Sequence, residues 1–266
     1  MTGSSYPIDV WGLFAAMLMV ATAACISGLM RIGIGRTLMW SACRALLQLC
    51  AMGVIMGFVI RSNNPWLVLA LLVLMLTAGV QITLSRAKNA PKTLHRGLIV
   101  PVLLALSVTL LLMVSLVTEL IVRPQPWYAP QLVVPLAGML LGNTVSALAV
   151  GLSRFFESMK DRRDDIGMLL ALGATPWEAS RPSVLSSIRL GLMPTTASLA
   201  SAGIVTIPGM MAGQVIAGGD PLDAAKYQFV ILAAIAALTL LADSLIMLLV
   251  YRSCFDEANR LRPIAR

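Results

Sequence analysis

Ionisable side chains are scarce in this sequence. Only 12% of its 266 residues are charged, and it has a single histidine, His95. Soluble domains average about 25% charged and about 45–50% apolar residues, whereas 58% of the residues here are hydrophobic. The composition therefore predicts a polytopic membrane protein embedded in a lipid bilayer. The net charge of +8 lies mostly in short segments between apolar runs, so we expect no nucleic-acid partner.

Sequence motifs that carry chemistry are also missing. There is no Gly-Lys dipeptide and hence no Walker A loop, no HExxH zinc motif and no GxSxG nucleophile. The four cysteines have no zinc-ligand spacing, and we expect free thiols. The sequence thus predicts no catalytic residue and no cofactor bound by this chain, and it leaves any metal ligands unknown.

The apolar runs predict the fold. A helix needs roughly 20 residues to cross about 30 Å of hydrocarbon. Seven runs meet that length, and together they predict a single all-α transmembrane domain over residues 1–266. The predicted spans are 10–30, 38–60, 66–85, 98–121, 131–151, 192–215 and 228–250.

Lysine and arginine set the predicted orientation, because short cytoplasmic loops are enriched in them. If the N-terminus lies outside and the C-terminus in the cytoplasm, sixteen of the twenty basic residues are cytoplasmic and three are external. The three are Arg61, Arg123 and Lys226, and the twentieth, Arg44, lies within the second span. We therefore expect a multi-pass protein of the plasma (inner) membrane with this orientation.

The longest polar interval runs from Arg154 to Arg189, between the fifth and sixth predicted spans. Gly173 suits a helix end, Thr175 can cap the next helix, and Glu178 stands three residues after that cap. Pro176 fits the first position of the new helix. The interval therefore predicts two helices joined by a tight corner. One interpretation is a plain solvated loop, and the other is a docking element for a cytoplasmic partner.

The fifth predicted span has a face of small residues, since Gly138, Gly142 and Ser146 recur every four residues. Such a face allows close helix packing, either within one chain or between two copies. Asn143 lies beside it and needs a polar partner in the membrane.

The sixth predicted span contains a helix break at Pro208 and Gly209. Freed backbone carbonyls are tolerated in a membrane where they line a cavity. We therefore predict a substrate pathway near this break, and its predicted residues are Asn143, Met210, Met211 and Gln214. The two methionines are soft ligands, but they are equally typical of flexible packing around a bent helix.

Three blocks carry a resemblance to a known family. They are PLAGMLLGNTVSALAVGL at 135–152, LLALGATPWEAS at 169–180 and IPGMMAGQVIAGGDPLDAAKYQ at 207–228. They resemble the FetB-like permeases of iron-exporting ABC transporters, a family that also includes plant proteins linked to aluminium tolerance. The first hundred residues are similar in hydropathy alone.

The resemblance implies a function. It implies a permease that exports iron or another metal ion, paired as two permeases with two separate ATP-binding subunits. ATP and Mg would then sit on the partner subunit. It also implies that the segment 154–189 couples the two proteins. The predicted coupling residues are Gly173, Ala174, Thr175, Pro176, Trp177 and Glu178.

Two other classes of function stay open at this point. In a secondary transporter, Glu119 or Asp243 would carry protons or ions across the membrane. A membrane scaffold subunit would need no pathway, and the broken sixth span argues against it.

Overall fold

A computed structural model describes residues 9–86, 92–121, 124–256 and 258–262. Three basic residues used for the orientation, Lys88, Arg123 and Arg266, lie outside the described residues. Within the described ranges the chain is helical and contains no β-strand. The helices are α1 Val10–Leu29, α2 Gly35–Ser62, α3 Pro65–Arg86, α4 Lys92–Ser115, α5 Pro130–Asp161, α6 Arg163–Ala171, α7 Pro176–Ser201, α8 Gly209–Ile216 and α9 Pro221–Ser253, with a π-helical turn at Leu116–Ile121.

The predicted all-α bundle of about seven spans is confirmed. Among the described residues six helices are long and apolar enough to cross a membrane, namely α1, α2, α3, α4, α5 and α9. Each overlaps one predicted span. The remaining long helix, α7, packs within the same bundle.

The centre of the bundle is formed by α5, α7 and α9. A hydroxyl hydrogen bond of 2.9 Å joins Ser158, late in α5, to Ser183, early in α7. Gly191, later in α7, lies against Ala147, earlier in α5. The two helices are therefore antiparallel. Thr144 of α5 contacts Thr239 of α9, and Gly151, later in α5, lies against Met247, later in α9. The helices α5 and α9 therefore run parallel.

The predicted sixth span, 192–215, is not one helix. The helix begins sixteen residues earlier, at Pro176, and ends at Ser201, while α8 starts at Gly209. The helix start at Pro176 agrees with the prediction from the capping residues, but its continuity with the sixth span was missed because this half of α7 is rich in serine. Ser180 and Ser187 donate hydrogen bonds of 2.6 Å to backbone carbonyls four residues back. Their polar atoms are satisfied within the helix, so they can be buried in the bundle.

The N-terminal helices α1 and α2 pack chiefly on each other. The ideal Cβ of Gly35 would lie 2.7 Å from the carbonyl oxygen of Ala24, so the two backbones meet closely there. Most of their apolar surface is exposed, as Trp11 at 77% and Trp40 at 72% illustrate. Arg44 and Gln48 are exposed on α2 as well.

Candidate functional site

The turn after α6 is closed by a Schellman motif. Gly173 has φ +95°, in the left-handed region that favours glycine. Its N–H donates to the carbonyl of Leu170 at 3.1 Å, and the N–H of Ala174 donates to the carbonyl of Leu169 at 3.0 Å. These two bonds satisfy carbonyl groups that the end of α6 would otherwise leave open. The predicted helix end therefore has a defined backbone geometry.

The start of α7 is closed by a capping box. The N–H of Thr175 donates to Glu178 Oε2 at 2.8 Å, and the N–H of Glu178 donates to Thr175 Oγ1 at 3.3 Å. The Thr175 hydroxyl also donates to Glu178 Oε2 at 2.8 Å. The backbone hydrogen bond from Thr175, followed by that from its hydroxyl, lowers the pKa of the exposed Glu178 carboxyl below its usual range. Two interlocked caps thus fix the angle between α6 and α7. We call residues 172–178 the corner.

The corner is attached firmly to the bundle. Ile166 before it and Ala179 after it are completely buried and belong to the main apolar cluster. The ring of Trp177 packs edge-on against Tyr251 near the end of α9, with ring centroids 5.2 Å apart. The predicted apolar anchor Trp177 therefore contacts its own chain. These contacts join the corner to both α7 and α9.

Two exposed apolar side chains lie at the end of α6, Met168 within the helix and Leu172 at its C-cap. Met168 is 60% exposed and Leu172 is 78% exposed, four residues apart and hence on one face of the helix. We call them the outer pair. The sequence analysis did not identify these two residues. Their four-residue spacing, on the side of the helix opposite the buried Ile166, was the signal that could have identified them.

A cleft of about 750 Å³ lies beside the corner. One wall is α6 with Gly173 and Ala174, and the other is the segment after α9, with Asn259 and Arg260. That segment is folded back on the helix, since the N–H of Arg262 donates to the Cys254 carbonyl at 2.9 Å. Burial raises the pKa of the Cys254 thiol to about 12, so this sulfur is an unreactive packing group.

The predicted pathway residues lie in two settings. Asn143 is exposed on α5, and its amide donates to the Met139 carbonyl at 2.8 Å. On α8, Met210 is half-buried against the apolar cluster of Leu140, Ile231 and Ile235. Met211 and Gln214 are half-buried, and Pro208 is the N-cap of α8 with Gly209 as its first residue. Met139 packs on the same cluster as Met210, so the two settings adjoin. A pathway through them stays a prediction.

The small-residue face of α5 is partly covered by another helix and partly exposed. An ideal Cβ on Gly138 would lie 3.1 Å from Met75 Cε, so α3 covers that position. Gly142 and Ser146 remain exposed beside Asn143. Two of the three predicted small residues, Gly142 and Ser146, are therefore left exposed by the rest of the chain.

Metal ligands are sparse in the structure. Within the described residues, no group of three or more His, Cys, Asp or Glu side chains could together hold a metal ion. All four cysteines are free thiols.

Comparison with known proteins places the chain in a family. The sequence model of the uncharacterised protein family UPF0014 matches residues 10–255. A UPF0014 membrane protein of Synechocystis is 34% identical over 84% of this chain and 85% of its own. The Escherichia coli protein named "Probable iron export permease protein FetB" is 27% identical over 97% of this chain and 96% of its own. The Arabidopsis thaliana protein ALUMINUM SENSITIVE 3 is 29% identical over 93% of this chain and 88% of its own. No solved structure matches the chain.

Proposed function

The chain belongs to the UPF0014 family of multi-pass membrane proteins, and from that premise we propose that it is the permease of an ATP-driven exporter of iron or another metal ion. ATP and Mg are held by a separate ATP-binding subunit. The name of the Escherichia coli relative, a probable iron export permease, supports the substrate class and the direction of transport.

The outer pair carries this proposal. Met168 and Leu172 are exposed apolar residues that follow a charged first turn of α6, which contains Asp164 and Asp165. A polar flank of this kind is typical of a segment in water rather than in lipid. Exposed apolar side chains next to a rigid corner are suited to insertion into a groove of a soluble protein. The partner groove is on the ATP-binding subunit.

The corner then acts as the coupling element. When ATP draws two ATP-binding subunits together, each moves the corner seated on it. Since Trp177 contacts Tyr251 and Ala179 lies in the main cluster, the motion passes into α7 and α9. The coupling residues are those of the corner itself, Gly173 to Glu178, together with the outer pair.

In the proposed assembly two permeases face each other and each binds one ATP-binding subunit. The exposed part of the small-residue face, Gly142 and Ser146, supports α5 as part of the seam. Asn143 on the same face, with Met210, Met211 and Gln214 nearby on α8, lines the metal pathway. Both termini follow the charge distribution, with the N-terminus outside the inner membrane and the C-terminus in the cytoplasm.

The test is ATPase activity of the assembled complex. The chain is co-expressed with each ATP-binding subunit encoded in the same genome, and the complex that co-purifies is reconstituted in liposomes. We expect ATP hydrolysis that one ion of a metal panel (Fe²⁺, Mn²⁺, Zn²⁺, Cu⁺) stimulates, with ATP-dependent movement of that ion. Failure of every ATP-binding subunit to bind the chain would overturn the proposal.

The orientation has its own measurement. A reporter that fluoresces only in the cytoplasm is fused after the final residue, Arg266. The proposal predicts a bright reporter on inserted protein. A dark reporter on inserted protein would place the corner on the wrong side of the membrane for an ATP-binding partner.

A further inference from the structure

One acidic residue is enclosed in the centre of the bundle. Asp243 of α9 is completely buried, with a relative exposure of 0%. Among the described residues, neither of its carboxylate oxygens has a hydrogen-bond partner. It lies ten residues before the end of α9, which is about 15 Å along the helix. A buried acidic side chain inside a membrane is costly, so its presence points to a function or to a particular charge state.

A glycine of α7 makes room for this carboxyl group. An ideal Cβ on Gly191 would lie 2.6 Å from Asp243 Oδ2 and 3.0 Å from the carbonyl oxygen of Ala147 in α5. Real Cβ atoms essentially never come so close, so a larger residue at position 191 would have to displace the acid. The carboxyl group therefore occupies the space that a side chain of α7 would fill. α5, α7 and α9 meet at this point.

Charged neighbours are lacking on every helix that packs against Asp243. The helices α4, α5, α7 and α8 pack on α9. Their stretches at residues 97–115, 131–152, 183–201 and 209–216 contain one ionisable residue, Arg189, whose side chain is exposed. Buried hydroxyl groups lie one helical turn from the contact, on Thr144, Ser187, Thr195 and Thr239, and those of Thr144 and Thr239 share a hydrogen bond of 3.3 Å.

An ionised carboxylate without a partner is strongly disfavoured in a bundle of helices inside a membrane. A proton removes that charge and needs no additional space. A metal ion would require several further ligands, and within the described residues no group of three or more His, Cys, Asp or Glu side chains could supply them. The neutral carboxylic acid is therefore the form that fits this state of the protein.

We propose that Asp243 is a proton-binding site of the transport cycle, occupied in this closely packed state and emptied when α7 moves away. This inference rests on the proposed function, because α7 is the helix that the corner drives. Gly191 lies sixteen residues after Thr175, about 24 Å along α7. A shift of one or two Å at such a packed interface is enough to separate Gly191 from the acid. Water then reaches the carboxyl group, its O–H bond breaks, and the proton passes to water.

The protonated acid is detectable by infrared spectroscopy without any transport. A neutral carboxylic acid has a carbonyl stretch that a carboxylate lacks. Purified protein in an ester-free maltoside detergent at pH 7 should show this band, and Asp243→Asn should lose it. Asp223→Asn, which changes an exposed acid of the same helix, should keep it. A band of equal intensity in Asp243→Asn, or no band in the wild type, would overturn the inference.

Isotope labelling covers the case in which Asp243→Asn does not fold. Wild-type protein labelled with ¹³C-aspartate shifts the bands of aspartyl groups alone. Of the other seven aspartates, six are exposed, and Asp256 is half-buried with its carboxylate accepting from the N–H of Arg260 at 2.7 Å. A neutral aspartyl band at pH 7 is therefore assigned to Asp243. An unshifted band would contradict the assignment.

Proton movement is then measured in the liposomes with an enclosed pH dye, using the metal ion that stimulates ATP hydrolysis. The wild-type complex should move protons together with the metal, and Asp243→Asn should reduce proton movement to that of empty vesicles. ATP-dependent metal movement without proton movement in the wild type would overturn the proton site alone. Absence of ATP-dependent metal movement would instead overturn the proposed function. Metal and proton exchange without ATP would identify a secondary transporter.

Discussion

The two ends of α7 differ in how they are held. At its start, Pro176 is buried, a capping box encloses Thr175, and Trp177 packs on α9. After its last residue, Ser201, the chain leaves the helix until α8 begins at Gly209. In between, Ile204 is 90% exposed and Val205 is 80% exposed. The hydrogen bonds of this stretch return to its own neighbours, as in Gly203 N–H to the Thr206 carbonyl at 2.8 Å.

This difference suggests how a movement is transmitted. We call the capped start of α7 its fastened end and the end at Ser201 its free end. In the proposed coupling, α7 carries a displacement of the corner toward residues 202–208, next to the predicted pathway. Pro182 and Pro194 lie inside α7, so the helix can also bend between its two ends. Midway between, Gly191 is in contact with Asp243. Variants at the start of α7, at its middle and at its far end should therefore have different effects.

The outer pair should have the largest effect. Replacing Met168 and Leu172 by serine removes two apolar groups that we place in the partner's groove. Each such residue contributes about 2 kcal/mol at a binding centre, about 30-fold in affinity. We expect binding of the ATP-binding subunit to be lost in a titration by light scattering or calorimetry.

Met168→Leu with Leu172→Met is the matched control, since it exchanges the two side chains and keeps the apolar surface. It should bind as the wild type does. Wild-type affinity in the double serine variant would remove the outer pair from the interface.

A methyl group at the middle of α7 should have the next largest effect. Gly191→Ala forces a Cβ into the Asp243 carboxyl, and overpacking of this kind costs about 1–3 kcal/mol. Gly53→Ala is the control, because nothing lies within 4 Å of its added Cβ in α2. Thermal unfolding in detergent should show a lower midpoint for Gly191→Ala alone. Equal unfolding midpoints for the two variants would mean that α7 can shift at this contact to accommodate the added methyl group.

The capping box at the start of α7 should contribute less to stability than the packing at Gly191. Thr175→Ala removes the capping box at a cost of about 1 kcal/mol, whereas Glu178→Gln preserves the hydrogen-bonding pattern. The pKa of Glu178 is lowered in the folded protein. The stability that its ionised carboxylate contributes is therefore fully present at any pH above the usual pKa range of glutamate. This stability is lost as the pH falls through the lowered pKa.

Denaturation at pH 7 and in acid measures this dependence. The wild type should lose cap stability in acid, and Glu178→Gln should lose none through this group. Thr175→Ala with unchanged stability at pH 7 would show that the cap does not fasten the helix.

The far end should respond least in stability, and its effect should appear in transport. Met210→Leu with Met211→Leu conserves volume, so the fold should lose less than about 1.5 kcal/mol. If the sulfur atoms bind metal, metal-stimulated ATP hydrolysis and efflux should both fall while basal hydrolysis stays. Unchanged efflux would assign the methionines to packing, in keeping with the position of Met210 on the cluster of Leu140.

Local chemistry explains which parts of the structure could be predicted from sequence. The corner follows from neighbouring residues, since Gly173, Thr175 and Glu178 act within one turn of each other. The continuity of α7 from Pro176 to Ser201 could not be predicted from hydropathy, because Ser180, Ser183 and Ser187 look polar until their hydrogen bonds are known. The pairing of Gly191 with Asp243 depends on the packing of α7 against α9, which no spacing along the chain encodes.

The most direct test of the account compares two glycines with similar backbone conformations at the two ends of α7. Gly173 has φ +95° at the fastened end and Gly203 has φ +82° beyond the free end. Proline fixes φ near −65° and fits neither position. The measurement is capture of the ATP-binding subunit by Gly173→Pro, by a deletion of Thr175–Trp177 and by Gly203→Pro, each checked for helicity and dispersity. We predict that the first two fail to capture it and that Gly203→Pro captures it as the wild type does. Capture at wild-type strength by both corner variants would contradict the account.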